Sequence, residues 1–454
     1  MAEFEGPQRA PEQAAHGSPE RLRVAVGCGV GATIETYDFI GFGTAAALYF
    51  GDVFFPDSDP LSATLLSFAT LGIGFAARPL GGVIAGHLGD RVGRKPVLVG
   101  SLLVMGIATV LIGCLPTYQM VGVWAPVLLV AVRVLQGLAF GAEWGGAILM
   151  TFEHAPWRRR GLYTGITQAG FPVGLLLANL AFLFSRHTLD DTWAWRVPFL
   201  LSAVLIAVGI FIRLKIDESP QFEALKESGE VVKNPLLAVI REDWRNVLRA
   251  FCLRITETAG YAVSVTFVLS YLGDDDAPDV SSTTSLIALV TAAALGVAAT
   301  TLWGRLSDRI GRRPVYLLGC AVSVVWGIPL FLLVNTEAAV LVLIAFVISY
   351  AVCQNSLAGV QGAWFCELFA TKTRTAGTSL AYQLSAVVSG FTPMIATALY
   401  SATGWTGPAV LFSAYGLLGF VATLVTRETW GADERREADR AVTASAEPAL
   451  PAVH

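Results

Sequence analysis

The sequence predicts an all-α membrane protein of about twelve transmembrane helices, in two pseudo-symmetric halves of about six. Three observations lead there. The 454 residues are 54% hydrophobic and only 15% charged, against roughly a quarter charged in soluble proteins, and the mean hydropathy is +0.60. Apolar runs of about 20 residues or more, the length that crosses about 30 Å of hydrocarbon, recur along the chain. One loop sequence occurs twice, at positions 90 and 308, which are 218 residues apart.

In order, the runs lie at 24–50, 62–89, 96–115, 123–152, 162–185, 196–213, 246–272, 282–304, 314–334, 338–366, 374–402 and 407–427. Barrel strands are shorter and alternate in polarity, so the spans are helices. Loop charges orient them. With the N-terminus in the cytoplasm, alternate loops carry Arg91/Arg94/Lys95, Arg158/Arg159/Arg160, Lys215 through Arg245, Arg309/Arg312/Arg313, Lys372/Arg374 and Arg427 onward. The opposite loops hold Asp52, Asp57, Asp59, Asp190, Asp191, Asp274, Asp275, Asp276, Asp279 and Glu337, with Arg186 and Arg196 their only basic residues. Both termini are therefore expected inside. Residues 1–22 and 429–454 read as polar cytoplasmic tails, 23–213 and 246–428 as the two halves, and 214–245 as a cytoplasmic linker.

Composition excludes several functions. A net charge of −4 gives no nucleic-acid signal. The six cysteines fall in apolar stretches without CxxC spacing, which speaks against a metal site or a disulfide framework. No cleavable leader is expected, since the first twenty residues are polar. HExxH, GxSxG and nucleotide-binding loops are absent from the sequence, so neither an enzyme nor an ATP-driven pump is expected. Duplicated halves around charged mid-membrane positions favour alternating access over a channel.

The repeated segment reads Gly86-His-Leu-Gly-Asp90-Arg91-Val-Gly93-Arg94-Lys95-Pro96, then Gly304-Arg-Leu-Ser-Asp308-Arg309-Ile-Gly311-Arg312-Arg313-Pro314. It resembles the cytoplasmic signature of the major facilitator superfamily. Glu35-Thr-Tyr37-Asp38-Phe39, Arg78-Pro-Leu-Gly-Gly82, Arg133-Val-Leu-Gln136-Gly137 with Gly141-Ala-Glu143-Trp144-Gly-Gly146, and Glu367 through Gly377 are similar to its metabolite:proton symporter branch. That branch includes bacterial shikimate, α-ketoglutarate and proline/betaine permeases. The likeness spans essentially all of 22–428, and the Trp124-Ala-Pro126 run resembles the shikimate type most. Thr36 and Ala142 depart from the usual Trp and Gly beside the expected cavity, so the substrate is not simply inherited.

Seven ionisable residues sit within the spans: Glu35, Asp38, Arg78, Arg133, Glu143, Arg254 and Glu257. Each costs about 2.5–3.5 kcal/mol at a helix centre, roughly 20 kcal/mol together. At about 1.5 Å per residue, Asp38, Arg78, Arg133 and Glu257 all lie near the midplane. The resemblance implies a proton-linked acid–arginine pair, which falls on Asp38 and Arg133; the alternative is an ion pair that only joins helices one and four. Glu35 and Glu143 are further proton acceptors, with Glu143 also placed as a gate residue. Arg78 is the expected anchor for a substrate carboxylate, since a guanidinium binds carboxylate bidentately, or else it pairs with Glu35 or Glu143. Arg254 and Glu257, three residues apart, share a helix face and can neutralise each other. Gln136, Phe140 and Trp144 continue the stripe of Arg133. Tyr37, Gln168, Gln354, Asn355, Gln361, Tyr382 and Gln383 complete the expected substrate-binding set, or serve as hydrogen bonds between helices.

The duplicated loops are read as a cytoplasmic gate of Gly86, Asp90, Arg91, Gly93 and Arg94 with Gly304, Asp308, Arg309, Gly311, Arg312 and Arg313. Gly86 and Gly304 allow close helix approach, the aspartates accept hydrogen bonds at a following helix N-terminus, and Arg94 and Arg313 pair with Glu153 and Glu367. The expected function is proton-coupled uptake of a small organic acid or zwitterion by a monomer in the bacterial inner membrane. The proton is the coupling ion, and no cofactor or metal takes part. The alternative is a proton-linked exporter, for which Gly170-Phe-Pro172-Val-Gly174 offers only an imperfect helix-five motif. The topology makes a direct prediction. Cysteines placed at Asp57 and Asp275 will react with an impermeant reagent from outside the cell, and those at Arg94 and Arg312 will not; reaction of both sets from the same side would overturn the map.

Overall fold

The computed structural model describes residues 18–92, 94–141, 144–214, 239–241, 243–273, 278–370 and 373–431, with side chains described except at 18–20, 83, 85–92, 94–96, 98, 144–145 and 212–214. Glu143 and Gly93 lie outside the described residues, as do most of the linker and both tails. The side chains of Gly86, Asp90, Arg91, Arg94 and Trp144 lie outside the described ones.

Inside hydrocarbon every backbone N–H and C=O must find its partner within the segment, and helices do this with no help from neighbours. Twelve helical spans result among the described residues. They are α1 (Ser18–Leu48), α2 (Pro60–Val92), α3 (Arg94–Cys114), α4 (Trp124–Phe140 and Trp144–His154), α5 (Arg160–Gln168 and Gly170–Thr188) and α6 (Arg196–Leu214). The second set is α7 (Trp244–Tyr261, then Ala262–Phe267 and Val268–Tyr271), α8 (Ser282–Ile310), α9 (Arg312–Val334), α10 (Ala339–Val347, Ile348–Gln354 and Asn355–Leu368), α11 (Arg374–Thr403) and α12 (Thr406–Val425). No strand occurs among the described residues. The ends fall within a few residues of those expected, apart from α1 and α8, which run about six residues further at the basic end. Two features were not anticipated. α5 breaks at Ala169, where Pro172 cannot donate to the Gln168 carbonyl and its ring crowds it. Ala262–Phe267 and Ile348–Gln354 are π-helical.

Packing repeats between the halves. Contacts of α1 with α5, α2 with α4 and α3 with α6 recur as α7 with α11, α8 with α10 and α9 with α12. The halves meet along two equivalent seams, α2 against α11 and α5 against α8. The outer surface carries exposed apolar side chains such as Ile107, Phe184, Leu302, Val325 and Val410. A hydrocarbon layer covers such a belt. In water it would be a far larger apolar patch than monomers expose. Polar and charged side chains point the other way, towards the seams: Glu35, Asp38, Arg78, Arg133, Arg254 and Arg312 are all buried.

Candidate functional site

A cavity of about 70 Å³ lies between the halves. Glu35, Thr36 and Phe39 of α1, Phe75 and Arg78 of α2, Phe140 of α4 and Phe171 of α5 form one wall. Arg254, Glu257, Thr258 and Tyr261 of α7, Tyr350 and Asn355 of α10, and Tyr382 and Ser389 of α11 form the other.

Arg78 is the unusual group. Its guanidinium carbon stands 3.7 Å from the centroid of the Phe140 ring, 4.0 Å from Phe75 and 5.3 Å from Phe39. It makes no hydrogen bond or ion pair among the described residues, although its side chain is buried. Ring faces stabilise a desolvated cation by about 2 kcal/mol each without using its N–H donors. Those donors are left for whatever enters the cavity.

Arg254 is held differently. Its Nη1 donates to Glu257 at 2.5 Å and to Gln361 at 2.6 Å, and its head lies 4.3 Å from the Tyr382 ring centroid. Gln361 in turn donates to the Tyr316 hydroxyl at 2.9 Å, which donates to the Leu253 carbonyl at 2.8 Å. The i,i+3 neutralisation expected from spacing is present, and Gln361 supports the pair from behind rather than lining the cavity.

Asp38 and Arg133 are brought to one place, but the described connection runs through two intermediaries. Thr109 Oγ1 donates to Asp38 Oδ2 at 2.8 Å, Gln136 Nε2 donates to Thr109 Oγ1 at 2.7 Å, and Arg133 Nη1 donates to Gln136 Oε1. The Arg133 head also lies 4.0 Å from the Phe42 ring centroid. The chain Asp38–Thr109–Gln136–Arg133 crosses α1, α3 and α4 within one half. It lies outside the cavity lining, which corrects Arg133 and Gln136 as direct cavity residues. Thr109 was missed by sequence reading; its one signal is a polar side chain about 22 Å along α3 from Arg94.

Other expectations are corrected in the same way. The Tyr37 hydroxyl donates to the Pro198 carbonyl at 2.6 Å and ties α1 to α6, so it does not face the cavity. Gln168 donates to the Ala358 carbonyl at 3.4 Å and Gln383 to the Gly141 carbonyl at 3.1 Å, so both stitch one half to the other. Gln354 is buried against Gly260, behind the wall. Of the expected substrate set, Arg78, Arg254, Glu257, Asn355 and Tyr382 line the cavity, together with Glu35. Phe140, on the stripe of Arg133, also lines it, whereas Phe39, Phe75, Tyr261 and Tyr350 were missed, because aromatic residues in an apolar run carry no signal of which way they face.

At the end that bears the basic loops, the halves are closed. Asp308, near the end of α8, accepts from the backbone N–H groups of Gly161 at 2.8 Å and Leu162 at 2.7 Å, at the start of α5. It therefore caps a helix of the opposite half, not the helix that follows it. Arg312 donates to Asp308 at 2.7 Å and to both Glu367 oxygens, at 3.1 and 3.3 Å. Glu367 thus pairs with Arg312, not Arg313, and Arg312 is the residue that the 218-residue repeat aligns with Arg94. Arg313 instead donates to the Leu424 carbonyl at 2.7 Å, and its backbone N–H, with that of Arg312, is bonded by Glu428. The crossing is glycine-lined. A Cβ at Gly304 would stand 2.3 Å from the Gly161 carbonyl oxygen, so no larger residue permits this approach. Gly311, with φ of 105°, turns the chain from α8 into α9 through the left-handed region that other residues avoid. Glu153 is half-buried on α4, and Arg309 is exposed.

The fold and site are those of a membrane transporter. The chain belongs to the Major Facilitator Superfamily, whose family model matches residues 29–349 and 250–452. It is 35% identical over 418 residues to the shikimate transporter of Escherichia coli K12, covering 90% of this chain and 94% of that one. It is 36% identical over 416 residues to the inner membrane metabolite transport protein YhjE of the same organism, at the same coverages. The proline/betaine transporter of Escherichia coli K12 is 31% identical over 429 residues, covering 90% of this chain and 84% of that one. Among solved structures, the proton:xylose symporter XylE bound to 6-bromo-6-deoxy-D-glucose shares the fold with a TM-score of 0.72 at 16% identity, covering 92% of this chain and 98% of that one. The protein is a multi-pass membrane transporter and not an enzyme.

The closed end yields a prediction. Asp308→Asn removes the charge that Arg312 and the two α5 amides share, and charge-assisted bonds contribute about 1.5–3 kcal/mol each. Spin-label distances between the α4–α5 and α8–α9 connections will shift towards the open arrangement by at least about tenfold in population. An unchanged distance distribution would mean that Asp308 does not hold this end shut.

Proposed function

We propose that this transporter takes up a small organic acid or zwitterionic metabolite together with a proton, by alternating access. The observation that carries the reading is Arg78, a buried guanidinium held by ring faces, facing the cavity with its donors unspent. A carboxylate is the ligand that such a fork fits best. The solutes named for the relatives, shikimate, proline and betaine, each bear one. Glu257 and Arg254 on the opposite wall offer a second pole, suited to the hydroxyls of an acid or the cation of a zwitterion. The substrate then contacts both halves, which is what couples its presence to their movement.

In this reading the halves are 23–213 and 246–428, joined by 214–245, with the basic end and both termini in the cytoplasm. The contacts of Asp308, Arg312 and Glu367 close that end, and the matching Gly86, Asp90, Arg91, Gly93, Arg94 and Glu153 set serves the other seam. The coupling proton resides on Asp38, with Glu35 and Glu143 next in line, and no cofactor is needed. Four membrane acids face three arginines, so the set cannot be fully paired when every acid is ionised. Arg133 acts on Asp38 through Gln136 and Thr109, so a change at Arg133 reaches the acid as a change in hydrogen bonding.

The test is uptake into proteoliposomes with and without an imposed inward proton gradient, beside exchange of labelled for unlabelled solute, using shikimate, α-ketoglutarate, proline and betaine. Wild-type accumulation indifferent to the gradient would defeat the symport reading. Asp38→Asn will lose gradient-driven accumulation and keep exchange; a variant that still concentrates solute would move the proton to another acid. Arg78→Lys keeps the charge and loses the planar fork, so solute affinity will fall by about tenfold or more. Normal affinity in that variant would take Arg78 out of the binding site.

A further inference from the structure

A second cleft, of about 390 Å³, opens at the basic end of the seam between α5 and α8. Arg158 and Arg159 line it from one half, and Arg305 and Arg309 from the other. Arg305 and Arg309 are one turn apart on α8 and so share a face. Arg159, Arg305 and Arg309 are exposed, and their side chains make no hydrogen bond or ion pair among the described residues. Among the described lining residues the only carboxylate, Asp308, already accepts from Gly161, Leu162 and Arg312. Loop topology asks for positive charge at this end but not for four guanidiniums converging across a seam. Closing the seam brings like charges together, which opposes closure unless something neutralises them.

We propose that this cleft binds a phosphate-bearing polyanion, and that the anion, by bridging Arg158/Arg159 to Arg305/Arg309, favours the state closed at the basic end. Guanidinium forks match phosphate oxygens bidentately, and a polyanion answers several of these charges at once where a single carboxylate answers one. The phosphate can come from an anionic lipid headgroup at the membrane surface or from a soluble phosphate compound. The site shares no lining residue with the central cavity, so its occupancy acts on the conformational equilibrium and not by competition with substrate.

The experiment uses the full chain in non-ionic detergent, titrated calorimetrically with sodium pyrophosphate against sodium chloride of equal ionic strength. Saturable binding is expected, weakened about tenfold or more in Arg159→Gln/Arg305→Gln, with Arg305→Lys, which keeps the charge and loses only the planar fork, weakened less. Saturating pyrophosphate will also narrow spin-label distances across the basic end to the closed arrangement. A response that chloride reproduces, or affinity unchanged in the double variant, overturns the site; unaltered distances overturn its effect on closure. Repeating the titration in nanodiscs of phosphatidylglycerol or phosphatidylcholine identifies the source. Lower apparent affinity in phosphatidylglycerol supports the site with a lipid headgroup as occupant, and equal affinity in both supports it with a soluble phosphate.

Discussion

Hydrocarbon offers a charge nothing, so each guanidinium in this bundle must be given a substitute for water by the protein around it. The four buried arginines receive four different substitutes. Among the described residues Arg312 has two carboxylates and a serine hydroxyl, Arg254 has one carboxylate, an amide and two rings, Arg133 has an amide and two rings, and Arg78 has three rings alone. Ionic partnership is greatest at the closed basic end, smaller at Arg254 on the cavity wall and absent, among the described residues, at Arg78. A fully paired arginine has little to offer a ligand, while one held by aromatic faces keeps its donors. Arg312, whose contacts lie at the closed end, and Arg78, whose donors face the cavity, thus stand at opposite extremes.

Pseudo-symmetry turns that separation into a mechanism. Because α5 lies on α8 as α2 lies on α11, tightening one seam at one end is geometrically linked to what the other seam does. The close approach of Gly161 and Gly304 lets the Asp308 carboxylate reach the first amides of α5, so backbone proximity and charge act on the same few residues. Interfaces of this kind are bistable: half-open, Asp308 would face water without Gly161 and Leu162, and the glycine contact would already be lost.

Much of this was legible in the sequence. Apolar run length set all twelve spans, and the repeated loop identified the gate helices. The intramembrane charges nominated Arg78, Arg254 and Glu257, which do line the cavity. What failed was direction. Depth along a helix follows from counting residues, but the way a side chain faces depends on helix rotation, which apolar runs leave unmarked on all sides. Tyr37 is at the right depth and faces α6, whereas Phe39, two residues on, faces the cavity. Thr109 looked like one more tolerated hydroxyl in an apolar run until α1 and α4 were placed beside it. The Arg312–Glu367 pair was missed by one residue, although the spacing of the repeat already aligned Arg312 with Arg94.

The π-helical stretches of α7 and α10 lie at the cavity wall, and Tyr261, which precedes the first, is 6.0 Å from Tyr350, which lies within the second, edge to face. A π turn carries one residue more than an α turn needs. Each stretch is therefore a stored residue of slack. Moving it along the helix would turn the stretch it passes by about 100° and advance that stretch by about 1.5 Å, rearranging which side chains the wall presents while the ends of the helix stay docked. Two such reserves, side by side in one half, give that wall a way to change its face without moving its foundations.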